Sequence, residues 1–228
     1  MREYLKKEEL AKLWMEKELL IFDFDGTLLD SMPMWEHIGT DYLISQGIMP
    51  PQDLEERLIS MTLEQSGAFY IRELGLKKTL DEYLEDIYQM ADQKYRLELA
   101  LKPGALAFVQ KAAEAGKKMC ILTTTGRPCV EAAAARHGLE HFLPFEKIYT
   151  CGELGMGKTT PDIYLHTIRQ MGSIPQKTLV FEDAPFAVKG AKLSGCTVCS
   201  VFDSSAGKQE AVLQQYADIR IQSFLELV

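Results

Sequence analysis

No stretch of the chain approaches the ~20 consecutive apolar residues that a membrane-spanning helix needs. There is no surplus of positive charge either: 25 Lys and Arg stand against 33 Asp and Glu, a net charge of −8. Nucleic acids and anionic membranes attract basic patches, so neither is an expected partner. Cysteine is scarce, five in 228 residues. The one close pair, Cys196 and Cys199, lies in an apparent strand, where side chains three apart tend to face opposite sides. Reduced thiols in a cytoplasmic protein are expected. The first 19 residues carry five basic and five acidic side chains and are too charged for a signal peptide. Internal repeats and low-complexity linkers are absent as well.

What is present is ordinary for a globular chain: 46% hydrophobic and 25% charged residues. The length suits one domain, or one domain with a substantial insertion, and needs no disulfide or structural metal to fold. Charge and pattern set one stretch apart. Residues 32–102 hold seven basic and thirteen acidic side chains and no convincing strand. Thr62-Leu63-Glu64-Gln65 and Thr79-Leu80-Asp81-Glu82 both match a helix capping box. The second opens an apolar stripe at Leu80, Tyr83, Leu84, Ile87 and Ala91, which is helical spacing. We read 32–102 as an inserted all-helical cap domain. The remainder, 1–31 and 103–228, reads as an α/β core.

Leu19–Phe24 forms a short apolar run ending in Asp-Gly, a buried strand entering a turn. From Pro103 onward strands (118–122, 147–150, 178–181, 197–202) alternate with helices (103–116, 127–137, 161–171, 186–194, 206–215). That alternation predicts a doubly wound parallel sheet, a Rossmann-like core with helices on both faces. Residues 1–18 add one amphipathic helix, with Leu10, Leu13 and Trp14 on one face.

In such sheets ligands sit beyond the carboxyl ends of the strands. The first strand there carries Asp23-Phe24-Asp25-Gly26-Thr27, the second Thr123-Thr124-Thr125. The third is followed by Lys158 in a glycine-rich loop, the fourth by Glu182-Asp183. Phosphoryl transfer through an aspartyl-phosphate asks for this set. One carboxylate attacks phosphorus. A second protonates the leaving oxygen and later takes a proton from water. Clustered carboxylates repel, so a divalent cation must neutralise them, and Mg²⁺ suits an all-oxygen site. The phosphoryl oxygens need donors and a positive charge.

These motifs, in this order, resemble the haloacid dehalogenase superfamily over about residues 19–203. The helical insertion after the first motif is similar to the subgroup that includes phosphoglycolate phosphatases and beta-phosphoglucomutases. The resemblance implies a mobile cap over the site. It makes Asp23 the nucleophile, Asp25 the general acid and base, Thr123 a phosphoryl ligand and Lys158 its neutralising cation. It also implies Mg²⁺ on Asp23, Asp183 and the Asp25 backbone carbonyl, with Glu182 in support. Loop departures leave each reacting group in place: Lys158 is followed by Thr159-Thr160-Pro161-Asp162, and Glu182-Asp183 by Ala184-Pro185.

The expected activity is Mg²⁺-dependent hydrolysis of a small phosphorylated metabolite, a sugar phosphate being one candidate. A hexose-phosphate mutase is the first alternative. Against it, Trp35 stands where such mutases carry a gating histidine, and the cap is poor in cations for a second phosphate. A carbon–halogen hydrolase would not need Asp25 and Asp183. A phosphonate hydrolase would need a cap lysine such as Lys77, Lys78 or Lys94. A binding or regulatory protein on the same fold would be expected to have lost a catalytic group. Trp35, Arg57 and Thr62 are the leading substrate contacts, with Met34, Ser60, Met61 and Tyr95 as further candidates. The four histidines share no spacing that suggests a metal site.

Overall fold

The computed structural model describes residues 7–58 and 61–228. Two units are distinguished. One takes in Asp30 and the chain before it together with Leu99–Val228, the other Ser31–Glu98. The helical unit ends four residues before the expected 102. Leu101 instead bridges Leu29 antiparallel, and the Lys102 N–H donates to the Leu28 carbonyl.

In the first unit six parallel strands form one sheet in the order β3-β2-β1-β4-β5-β6. They are β1 (Leu19–Phe22), β2 (Lys118–Thr123), β3 (Ile148–Thr150), β4 (Thr178–Glu182), β5 (Thr197–Val201) and β6 (Ile219–Ile221). The edge strand β6 was not anticipated. Its three residues, Ile-Arg-Ile, are too few to show alternation against a helix ending just before them. β1 is central and buried along its whole length, which is why it reads as four unbroken apolar residues. Leu19 and Ile21 face a cluster with Cys120, Val180, Val198, Ile163 and Val188. Phe22 meets an aromatic cluster, stacking on Phe181 at 4.9 Å, with Phe108 and Phe224 beside it. Trp14 closes that cluster edge-on to Phe108 at 5.2 Å.

The helices are α1 (Lys7–Met15), then α2 (Met32–Ser45), α3 (Leu54–Leu58), α4 (Leu63–Glu73) and α5 (Leu80–Leu97). After these come α6 (Ala105–Glu114), α7 (Arg127–Arg136), α8 (Cys151–Leu154), α9 (Asp162–Gln170), α10 (Pro185–Leu193) and α11 (Glu210–Tyr216). The helix expected from Pro103 begins at Ala105, because Gly104 takes φ +81 ahead of it. The helical unit holds α2 to α5. Both capping boxes form, with the Thr62 and Thr79 hydroxyls accepting from the Gln65 and Glu82 N–H groups. Tyr83, Ile87 and Ala91 of the predicted stripe are buried. All five cysteines are free thiols. Among the described residues no helix is long and apolar enough to cross a membrane.

Candidate active site

The strand ends meet as the parallel topology requires. β2, β1 and β4 are neighbours, so the residues just past them share one rim. Asp23 leaves β1 with its N–H donating to the Phe181 carbonyl of β4 at 2.9 Å. The chain then turns back, the Gly26 N–H donating to the Leu29 carbonyl at 2.9 Å. Glycine is required there twice over. Its φ is +74, and a Cβ would stand 2.3 Å from Asp183 Oδ2. Thr27 next to it donates to Asp183 Oδ1 at 2.9 Å.

Lys158 is buried between Asp23 Oδ1 and Glu182 Oε1, the latter at 2.6 Å. The other Glu182 oxygen accepts from the N–H groups of Asp183 and Ala184, at 3.0 and 3.2 Å. The lysine loop can come this close because α10 presents Gly190, where a Cβ would fall 2.0 Å from the Lys158 carbonyl oxygen. Asp25 lies in the turn, its Oδ2 accepting from the Thr125 hydroxyl at 2.5 Å. Thr123 is fully buried and its hydroxyl accepts from the Thr125 N–H at 3.1 Å.

The electrostatics are those of too much negative charge in too little water. Burial first, and then the charge of Glu182, push Asp23 up to about 6 against the pull of Lys158. Burial, Glu182 and Asp23 push Asp183 well above the usual carboxylate range. Burial works against the Lys158 ammonium, yet the two carboxylates outweigh it and hold the proton well above the ordinary lysine value. Asp23, Glu182 and Asp183 each offer an oxygen within 4.8 Å of the others. One ammonium does not balance three buried carboxylates, and unbalanced buried charge is costly. The donors are all oxygen, so the group fits a hard divalent cation of the Mg²⁺ kind.

Asp23, Asp25, Thr123, Glu182 and Asp183 therefore end or follow neighbouring strands, and Lys158 reaches Asp23 and Glu182 from the loop after α8. Thr27, Thr125 and Gly190 were missed. The signal for Thr125 was present in the run Thr123-Thr124-Thr125, but three adjacent hydroxyls do not say which one turns inward.

The helical unit has its own cavity of about 470 Å³, lined by Trp35, Thr62, Met61, Ser66, Tyr70 and Tyr83 among others. Trp35 and Thr62 both line it. Arg57 does not line it. Its guanidinium pairs with Asp53 at 2.7 Å and lies over the Phe69 ring at 5.8 Å, because it projects from a different face of α3. Trp35 Nε1 donates to the Tyr95 hydroxyl at 3.1 Å. Ser60 lies outside the described residues. Lys78 and Lys94 are paired with Asp86 and Glu98.

The sequence profile of the haloacid dehalogenase-like hydrolases matches residues 20–201. The chain is 26% identical over 181 residues to a phosphorylated carbohydrates phosphatase of Thermotoga maritima, covering 78% of this chain and 82% of that protein. It is 28% identical over 186 residues to hexitol phosphatase A of Escherichia coli, covering 79% and 81%. The fold is that of CbbY from Rhodobacter sphaeroides, solved in complex with phosphate. The TM-score is 0.73 at 22% identity, covering 92% of this chain and 96% of that one.

Proposed function

This chain belongs to the haloacid dehalogenase-like hydrolases, and on that premise we propose that it is a Mg²⁺-dependent phosphatase of a small phosphorylated metabolite. The observation that carries the reading is the buried set of Asp23, Lys158, Glu182 and Asp183 beside the Asp25–Thr125 pair. The names of the Thermotoga and Escherichia relatives favour a phosphorylated carbohydrate or polyol as substrate.

In this mechanism Asp23 forms a bond to phosphorus as the bond to the leaving oxygen breaks, and Asp25 gives its proton to that oxygen. Asp25 then takes a proton from water, whose oxygen bonds to phosphorus as the Asp23–phosphorus bond breaks. Alcohol and inorganic phosphate leave, and both aspartates return to their starting states. Lys158 supplies positive charge beside Asp23, and the Thr123 hydroxyl is the donor for a phosphoryl oxygen. A cation held by Asp23, Asp183 and the Asp25 carbonyl would neutralise phosphoryl and carboxylate charge. Glu182 supports the set through Lys158 and the first turn into α10. Substrate contacts are assigned to Trp35 and Thr62. Among the described residues no Lys or Arg lines their cavity, which favours an uncharged substrate moiety over the second phosphate that a mutase must hold.

The test is phosphate release from phosphorylated sugars, hexitols, glycerol and nucleosides, and from p-nitrophenyl phosphate, with and without Mg²⁺. Cation-dependent release that vanishes in Asp23→Asn supports the reading. Equal release by that variant would refute the covalent route.

A further inference from the structure

The hydroxyl of Thr125 has no part in the scheme above, yet it makes one of the shortest contacts at the rim, 2.5 Å to Asp25 Oδ2. Threonine is β-branched and stiff at χ1, and the Thr125 backbone is itself held, its N–H bonded to the Thr123 hydroxyl at 3.1 Å. One turn after β2 therefore ties a phosphoryl-binding hydroxyl to the carboxyl group that moves the protons. We propose that Thr125 is a positioning residue: it holds the Asp25 carboxyl in the orientation required for proton transfer. The inference rests on the aspartyl-phosphate reading and deepens it.

Asp25 sits in a turn and is only partly buried, so its side-chain torsions are not fixed by close packing. The Thr125 O–H···O bond supplies that restraint, and it becomes charge-assisted once Asp25 has given up its proton. It matters in the two half-reactions where Asp25 acts. Asp25 must face the leaving oxygen in the first and the attacking water in the second. The phosphorus–oxygen bond exchange at Asp23 does not itself require the Thr125 hydroxyl.

Leaving groups separate these roles. Nitrophenolate departs without a proton, whereas an alkoxide needs one as it leaves. Single turnovers with enzyme in excess are measured for the wild type, Thr125→Val, Thr125→Ala and Thr125→Ser. The probes are p-nitrophenyl phosphate and the alkyl phosphate from the panel that the wild type hydrolyses fastest. General acid–base catalysis contributes about 10²–10⁴-fold, so Thr125→Val and Thr125→Ala should slow alkoxide release by about 10–100-fold. Nitrophenolate release should change by at most about 3-fold, and phosphate release from the phospho-enzyme should slow with both probes. Thr125→Ser should return alkoxide release to within about 3-fold of the wild type.

Equal slowing of both leaving groups would overturn the proposal, because Thr125 would then act on phosphoryl binding. Wild-type rates in Thr125→Val, or a Ser variant as slow as Val, would overturn it too. Failure of both Val and Ala variants to fold, read from their thermal midpoints, would make Thr125 a structural residue. If the wild type itself releases no phosphate, the phosphatase reading has failed and this one falls with it. The wild-type arm therefore tells the two failures apart.

Discussion

The two units handle polarity in opposite ways. In the α/β unit the interior holds charge: Asp23, Lys158, Glu182, Asp183 and Asp203 are all buried. Each has a charged or hydrogen-bonding partner, Asp203 taking Lys102 at 2.6 Å. Among the described residues the helical unit buries no charge. Its interior polar groups are hydroxyls, those of Ser31, Tyr42, Ser66, Tyr70, Tyr83 and Tyr95, and its ion pairs are exposed or partly exposed. Buried charge is costly, because desolvation consumes much of the Coulombic gain. Neutral hydroxyls can line a cavity at lower cost and can be exchanged without unbalancing it. Under the proposed mechanism, reaction chemistry falls to the α/β unit and the helical unit is left free to vary in shape.

The sharpest way to break this comparison uses one backbone conformation in both places. Gly26 and Gly47 have nearly equal φ, +74 and +73. A Cβ at Gly26 meets the Asp183 carboxylate at 2.3 Å, while one at Gly47 meets nothing within 4 Å. Both Ala variants bear the left-handed strain of about 1–2 kcal/mol. Only Gly26→Ala should also lose turnover, by about 100-fold or more, since shifting a reacting group by an ångström costs on that order. Steady-state kinetics beside thermal melts read both. Equal kinetic losses would dissolve the distinction.

Lys158→Met comes next. It leaves the buried Asp23 and Glu182 carboxylates without their shared cation and should cost about 3–5 kcal/mol in urea unfolding. Mg²⁺ should restore part of that, because a ligand bound only to the folded state stabilises it by mass action. Lys78→Met in the helical unit removes a partly exposed ion pair and should cost under about 1 kcal/mol, with no response to Mg²⁺. Identical Mg²⁺ responses in the two variants would argue against a cation site at the strand ends.

The same difference explains what could be read from residue order. Asp23, Asp25, Lys158 and Glu182-Asp183 were legible because a parallel sheet converts position after a strand into position on one rim. The capping boxes were legible because they are local: Thr62 with Gln65 and Thr79 with Glu82 need nothing from elsewhere. Thr125 was not, since its role depends on which way one of three adjacent threonines turns toward a partner 100 positions away. Gly190 was not, since its reason is the carbonyl of Lys158 on another loop. That Arg57 lies off this cavity was not legible, because spacing along a five-residue helix does not show which face looks into a cavity. The lining of that cavity is set by packing among α2, α4 and α5, which no local pattern encodes.

Within the helical unit the hydroxyls themselves differ. Tyr83 bonds to Ser66 at 2.9 Å, whereas the buried Tyr70 hydroxyl has no partner among the described residues. Tyr83→Phe should cost about 1 kcal/mol in urea unfolding, the net worth of one buried hydrogen bond. Tyr70→Phe removes a donor that gains nothing and should be neutral or stabilising by up to about 1 kcal/mol. Equal losses would mean that Tyr70 has a bonded partner in solution.

The smallest effect sits on the surface of the same unit and has a definite sign. The Lys78 ammonium holds the Asp86 carboxyl below its usual range at 2.5 Å, partial burial opposes this, and the Tyr42 hydroxyl adds a second donor. A carboxyl with a depressed folded pKa binds its proton less readily folded than unfolded. Its contribution is therefore complete above the unfolded aspartate value of about 3.9 and drains away as pH falls through the folded value. Asp86→Asn removes that contribution, so the wild type should exceed the variant by under about 1 kcal/mol at neutral pH, the pair being partly solvated. The gap should close as pH drops below about 4. Urea unfolding of both proteins at a near-neutral and an acidic pH measures it. A gap that widened on acidification would reverse the sign and remove Lys78 as the cause.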